Sequence, residues 1–279
     1  VSHRNCWNKV QVICLKRFTN MLFINTRPQD RAEKLSHALR MAQVPVLDLP
    51  LLELVARPWS AALFELYHQL LAAQVIVVVS PTAVQVGMDY LRQAEISLDE
   101  LQQIQWIAVG ETTAQALATY GIAAEVPLVE TSEGMLQLPM LKSMNAGTCI
   151  AFWRGEGGRP FMMDQLKQQG MHILNFILYE RRCPLLTQQN LSNILPLLEQ
   201  QQQYAMVVSS EASWLNWIKL MQGQNAIIAK GHYFVLGERL YQVVSDYKKN
   251  QFACFNVTRL PDLKTDSILQ QIVVVQGNT

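Results

Sequence analysis

The stretch "VPVLDLPLLEL" (44–54) is echoed by "MHILNFILYER" (171–181), 127 positions further on. The same interval takes Arg27 in "INTRP" (24–28) to Arg154 in "AFWRG" (151–155). It also takes Gly110 in "IAVGETTAQAL" (107–117) to Gly237 in "FVLGERLYQVV" (234–244). Ser80 in "VVVSPTAV" and Ser209 in "MVVSSEAS" stand 129 apart, which needs only a small insertion. A looser match joins "VETSEGMLQL" (129–138) to "LKTDSILQQI" (263–272). Chance produces one such pair easily, but not four pairs in order at nearly one offset. The chain therefore reads as two similar units duplicated in one polypeptide.

Each unit is built from short apolar runs such as "VIVVVS" (75–80), "CIAFW" (149–153) and "AMVVSS" (205–210). Most precede amphipathic patterns such as "DRAEKLSHALRMA" and "TTAQALATYG". Strands alternating with helices predict an α/β fold of two doubly wound parallel sheets. Gly121 and Gly170 each follow a helical run and read as stop signals. In open parallel sheets, ligands bind beyond the carboxyl ends of the strands, and clefts between domains are favoured sites. Those ends carry Thr26 and Arg27, Ser80 and Thr82, Gly110 and Thr112, Arg154 to Arg159, Ser209 and Ser210, and Gly237 to Arg239. That row is hydroxyl-rich and basic, and it suits an anion.

Composition narrows the classes. Half of the 279 residues are hydrophobic and the formal net charge is +1, so no global field draws the chain to nucleic acid or to a membrane. The five cysteines (Cys6, Cys14, Cys149, Cys183 and Cys254) are scattered without a C-x-x-C pair, which argues for a reducing compartment and against a zinc site. No H-E-x-x-H occurs and no apolar run reaches the length of a membrane span. Residues 1–20 lack a signal peptide's apolar core and read as an extension ahead of the strand "MLFIN" (21–25). A cytoplasmic protein is expected.

The loop Gly155-Glu156-Gly157-Gly158-Arg159 follows a strand and precedes a helical pattern. It has neither the lysine and hydroxyl of a P-loop nor the last glycine of a dinucleotide fingerprint. Pro160 suits a first helical position, leaving backbone amides free at the helix start. Arg154 and Arg159 add charge, and arginine grips a carboxylate through two parallel N–H bonds. The loop suits a carboxylate better than a nucleotide, although a plain strand–helix turn would look similar.

Taken in order, "INTRP", "LPLLEL", "VVVSPTAV", "IAVGETTAQAL", "SEGMLQL", "RGEGGR", "ILYERR", "VVSSEAS" and "VLGERL" resemble the uroporphyrinogen-III synthase family over about residues 22–270. The resemblance implies two α/β domains joined by a two-stranded connector. Domain 1 would be discontinuous (21–50 plus 183–279), domain 2 would span 55–175, and the connector strands would be 47–54 and 173–182. It implies closure of linear hydroxymethylbilane to uroporphyrinogen III, with inversion of ring D and loss of water. No cofactor and no metal are implied. A monomer is, with transient contact with the upstream hydroxymethylbilane synthase as a further expectation.

Tyr179 in "ILYERR" matches the family's favoured tyrosine, and its phenol could donate a proton to the leaving hydroxyl. It could equally pack in the connector. The expected substrate-binding set is Arg27, Ser80, Thr82, Thr112, Thr113, Arg154, Gly157, Gly158, Arg159, Ser209, Ser210 and Arg239. The hydroxyls could also cap the helices that follow them, and the arginines could be ordinary ion pairs. Gly237 stands where the family often has serine, which removes one hydroxyl. Glu156 would repel an acidic substrate and is expected to pair with a neighbouring arginine, and Trp153 is expected in the core. The competing readings are a two-lobed protein that binds an anionic small molecule without chemistry, and a nucleotide-dependent enzyme.

Overall fold

The computed structural model describes residues 21–251 and 253–277. The expected extension at 1–20 lies outside them. The described residues up to Glu53, together with those from Arg182 onward, form one compact unit, and Leu54–Arg181 form the other. Among the described residues, the strands are β1 (Leu22–Asn25), β2 (Val46–Asp48), β3 (Glu53–Ala56), β4 (Val75–Val78), β5 (Gln105–Ala108), β6 (Cys149–Gly155), β7 (His172–Arg182), β8 (Tyr204–Val208), β9 (Gly231–Leu236) and β10 (Asn256–Leu260).

One sheet runs in the order β10-β9-β8-β1-β2, with every pairing parallel. The other runs β3-β7-β6-β4-β5, with β7–β6, β6–β4 and β4–β5 parallel. The repeat seen in the sequence is therefore spatial. The strands β9-β8-β1-β2 and their sequence counterparts β5-β4-β6-β7 occupy the same places in the same order. Only the fifth strand differs: β10 lies beyond β9 in one sheet, and β3 lies beyond β7 in the other.

The central strands β4 and β8 are wholly apolar, as strands covered on both faces are. Every residue of β4 and of β8 is buried. Successive side chains point to opposite faces. Ile76, Val78, Ala151 and Trp153 thus join one apolar cluster, while Val75, Val77, Ile150 and Phe152 join another across the sheet. Trp153 is a core residue, as expected. Gly121 and Gly170 close helical segments at φ of 76° and 84°.

One expectation needs correction. The stretch 44–54 is two strands rather than one, β2 in the first sheet and β3 in the second. Pro50 has no N–H to give to a ladder. The neighbouring Leu49 and Leu51 donate to the carbonyls of Asn25 and Thr26 at 2.9 and 3.2 Å, so the chain stays beside the end of β1 before it leaves for β3. The last helix extends over Thr265–Gly277. Its Ile268 and Ile272 are buried against the first sheet's core, which carries the helix onward to Val275.

Candidate functional site

In each sheet the chain turns to opposite sides from two adjacent central strands. β1 leads to β2 and β8 to β9; β4 leads to β5 and β6 to β7. Such a switch point leaves a crevice at the carboxyl ends. Beyond β4, β6 and β7 this crevice is a cavity of about 160 Å³. Its walls include Val79, Phe152, Met135, Met162 and Met163, and its polar groups include Arg154, Arg159, Tyr179, Arg181 and Ser132.

Tyr179 is the central polar group. It lies near the end of β7, in register with Gly155 of β6 and just past an irregularity between Arg154 and Gly155. Irregularities of this kind re-aim side chains beside sites. The ring needs a glycine there, since a Cβ on residue 155 would come within 2.4 Å of it. Only 1 % of Tyr179 is exposed. Its hydroxyl is 2.9 Å from Ser80 Oγ, and Arg181 Nη2 donates to it at 3.4 Å. The Arg181 guanidinium also lies 5.5 Å from the centre of the tyrosine ring. Ser80 is the N-cap of the helix Pro81–Gln93 and accepts the Ala83 N–H at 3.1 Å. A hydroxyl has one proton and two acceptor positions. If the serine directs its proton at the phenol, the phenol's own proton is left to face the cavity.

The glycine-rich loop holds Arg154. Gly157 and Gly158 adopt φ of 76° and 80°, a region that side chains disfavour. In that conformation both carbonyls accept from Arg154 Nη2, the second at 3.4 Å. Arg154 also donates to the Gly155 carbonyl at 3.3 Å and to Met163 Sδ at 3.8 Å. Burial first, and the like charge of Arg181 second, push its guanidinium below the usual arginine range. Arg159 is held outside by both carboxylate oxygens of Glu133, at 2.9 and 3.2 Å. Glu156 pairs with Arg57 at 2.8 Å, so the expected arginine partner comes from elsewhere in the chain.

The other expected residues of this unit are not among those that line the cavity. Thr82 is half-buried in the first turn of the helix that Ser80 caps. Thr112 is exposed at the start of the helix Glu111–Ala118, but Thr113 is buried and offers no surface. The Glu111 N–H at that helix start donates to the Glu130 carboxylate at 2.9 Å, so the protein's own acid uses an amide there.

The remaining expected residues belong to the other unit. Arg27 follows β1, and its N–H donates to Asn25 Oδ1 at 3.4 Å. Ser210, not Ser209, is the structural counterpart of Ser80: it caps the helix Glu211–Leu220, accepts the Ser213 N–H at 3.1 Å and meets Ser213 Oγ at 3.0 Å. Ser209 is half-buried just before the cap. Arg239 pairs with Glu211 at 2.9 Å on the surface. Sequence reasoning missed Arg181 and Gly155. The signal for Arg181 was present, because residues two apart on a strand share a face.

A profile of the family described as uroporphyrinogen-III synthase HemD matches residues 33–254. The chain belongs to the uroporphyrinogen-III synthase family. Solved structures agree on the fold. A mutant uroporphyrinogen III synthase from the extremely thermophilic bacterium Thermus thermophilus superposes with a TM-score of 0.62 at 13 % identity, over 92 % of this chain and 99 % of that one. Uroporphyrinogen-III synthetase from Helicobacter pylori gives 0.56 at 14 % identity, over 91 % and 99 %. At such identities the likeness speaks for the fold, while the profile match carries membership. A synthase of this family works on a small tetrapyrrole-type substrate. No helix among the described residues is long and apolar enough to cross a membrane.

Proposed function

We propose that the chain closes hydroxymethylbilane to uroporphyrinogen III as a cyclising lyase, and that the chemistry is centred on Tyr179. The family match over 33–254 supports the activity. The observation that supports the residue assignment is the Tyr179 hydroxyl, held by Ser80 at the cavity wall. Hydroxide leaves the hydroxymethyl carbon of the linear chain and takes a proton as it goes, giving water and an azafulvene. The substituted position of the last ring attacks that carbon, forming a spiro-pyrrolenine. Breaking and remaking one ring bond then leads to the inverted macrocycle. Tyr179 donates the hydrogen bond or proton to the departing oxygen. Ser80 and Arg181 keep the phenolic oxygen supplied with donors, so the phenol's proton points outward.

Unassisted closure gives the non-inverted isomer, so positioning carries most of the task. Under this proposal Arg27, Ser80, Thr82, Thr112, Arg154, Gly157, Gly158, Arg159, Ser209, Ser210 and Arg239 form the wider substrate surface. Thr113 is left out because it is buried. The enzyme acts as a cytoplasmic monomer without cofactor or metal, and takes its unstable substrate from hydroxymethylbilane synthase by transient contact. The binding-only reading gains nothing from the family match, and the nucleotide reading lacks a phosphate loop. The test generates hydroxymethylbilane in situ, adds the purified protein and separates the oxidised porphyrin isomers. Mostly isomer III is expected. Isomer I alone, from folded protein, would overturn the activity.

A further inference from the structure

Two arginines of this region are neutralised at home: Arg57 by Glu156 and Arg159 by Glu133. Arg154 and Arg181 are different. Arg154 gives its N–H groups to three backbone carbonyls and a thioether. Arg181 gives its own to the Glu156 carbonyl at 3.1 Å and to the Tyr179 hydroxyl. Among the described residues neither forms an ion pair, yet both line one small cavity. Arg154 is half-buried and feels Arg181 as a like charge. Two unneutralised cations at one partly desolvated wall repel each other, and one anion between them relieves both.

The rest of the wall says what else the ligand carries. Phe152, Met135, Met162 and Met163 are apolar, and methionine adapts to flat rings. The cavity measures about 160 Å³. A cavity of about 150 Å³ accepts a benzene-sized ring. This one therefore covers a single five-membered ring with a short acidic arm, and leaves the rest of a tetrapyrrole beyond its open mouth.

We propose that this cavity is a one-ring seat, in which Arg154 and Arg181 clasp one side-chain carboxylate of a single pyrrole and present that pyrrole to the Tyr179 hydroxyl. The inference rests on the synthase reading for the identity of the ring, but not for the seat itself. Arg181 is then a substrate-binding residue as well as a partner of the phenol. The remaining rings and their acids lie outside the cavity.

The test uses the full chain and 1H-pyrrole-3-propanoic acid as probe, with its primary amide as the neutral control. Binding is followed by ligand-observed NMR. The acid is expected to bind and the amide not to. Arg181→Gln and Arg154→Lys are each expected to weaken the acid about tenfold or more, as loss of a charge-assisted bond implies. Arg92→Gln is expected to change nothing, since Arg92 pairs with Asp89 on a distant helix face. Arg181 is exposed, so its replacement should leave the fold intact. Equal affinity for acid and amide, or affinity for the acid unchanged in both variants, would overturn the seat. Isomer analysis of the unaltered protein reports separately on the synthase reading, because probe binding needs no turnover.

Discussion

The two units share four strands in one order, but their strand ends are furnished differently. In Leu54–Arg181, β7 delivers Tyr179 to the wall, and the cap serine beyond β4 meets it at 2.9 Å. In the other unit the matching position, 127 residues earlier, is Leu52. There the cap serine turns to Ser213 instead. The tyrosines of that unit are spent on its core: Tyr204 and Tyr233 bond each other at 2.9 Å, and burial pushes both phenols well up. A duplicated framework thus kept its architecture in both halves and placed a cavity-facing phenol in one. The lesson is that sheet order constrains where chemistry can sit, while single side chains decide which copy carries it.

The largest expected effect falls on Tyr179→Phe. Loss of the phenolic proton should lower turnover by about 10²-fold or more if it serves as general acid. The circular dichroism spectrum should not change, because the ring remains. Unaltered kcat would put the chemistry elsewhere and erase the contrast with Leu52.

Gly155→Ala should be the next most damaging. Its methyl would lie within 2.4 Å of the Tyr179 ring, so either the ring or β6 must move. Overpacking of this kind costs about 1–3 kcal/mol, readable in a urea titration. Activity should fall further than that loss of stability explains.

Ser80→Ala and Ser210→Ala form a matched pair. Each removes an N-cap and should cost about 1 kcal/mol of stability. Turnover should drop more in the Ser80 variant, because only that serine holds the phenol. Equal drops would mean that the two strand ends contribute alike.

The smallest effect concerns pH. His232, buried in β9, bonds Thr258 Oγ1 through Nε2 at 2.7 Å, and burial lowers its pKa from the usual 6.5. A folded state that resists protonation loses stability as the unfolded chain takes up protons. The contribution is therefore complete above about pH 6.5 and declines as pH falls toward the depressed folded value. Calorimetry between pH 7 and 5 should show the unit containing β9 losing stability in this window. His232→Gln should flatten that slope.

Much of this was legible in the sequence. The parallel sheets followed from fully apolar strands, and the duplication followed from a constant offset that the strand order reproduces. The 44–54 stretch was misread because Pro50 breaks the ladder without interrupting the apolar pattern. The Ser80–Tyr179 contact joins residues 99 positions apart, so local pattern could suggest each partner but not their meeting. Arg181 looked like any arginine at a strand end. Only the carboxylates held by Arg57 and Arg159 reveal that it lacks one. Thr113 shows the opposite case: a threonine in a helix's first turn has two faces, and this one turns inward.

The way the chain crosses between its units has a further consequence, for the order of folding. Leu54–Arg181 is continuous, and its central β4–β6 pairing, Val75 with Ile150, spans less chain. The other unit must bring Thr26 to Val207 across 181 positions. Closing so long a loop is entropically costly and slow. Once the continuous unit has formed, β3 and β7 lie side by side, and Glu53 and Arg182 pair at 2.8 Å. The intervening chain then behaves as a short bridge, and β1 has only a modest distance to search for β8. Pulsed hydrogen exchange during refolding should protect β4 and β6 before β1 and β8; simultaneous protection would show that the long loop imposes no such delay.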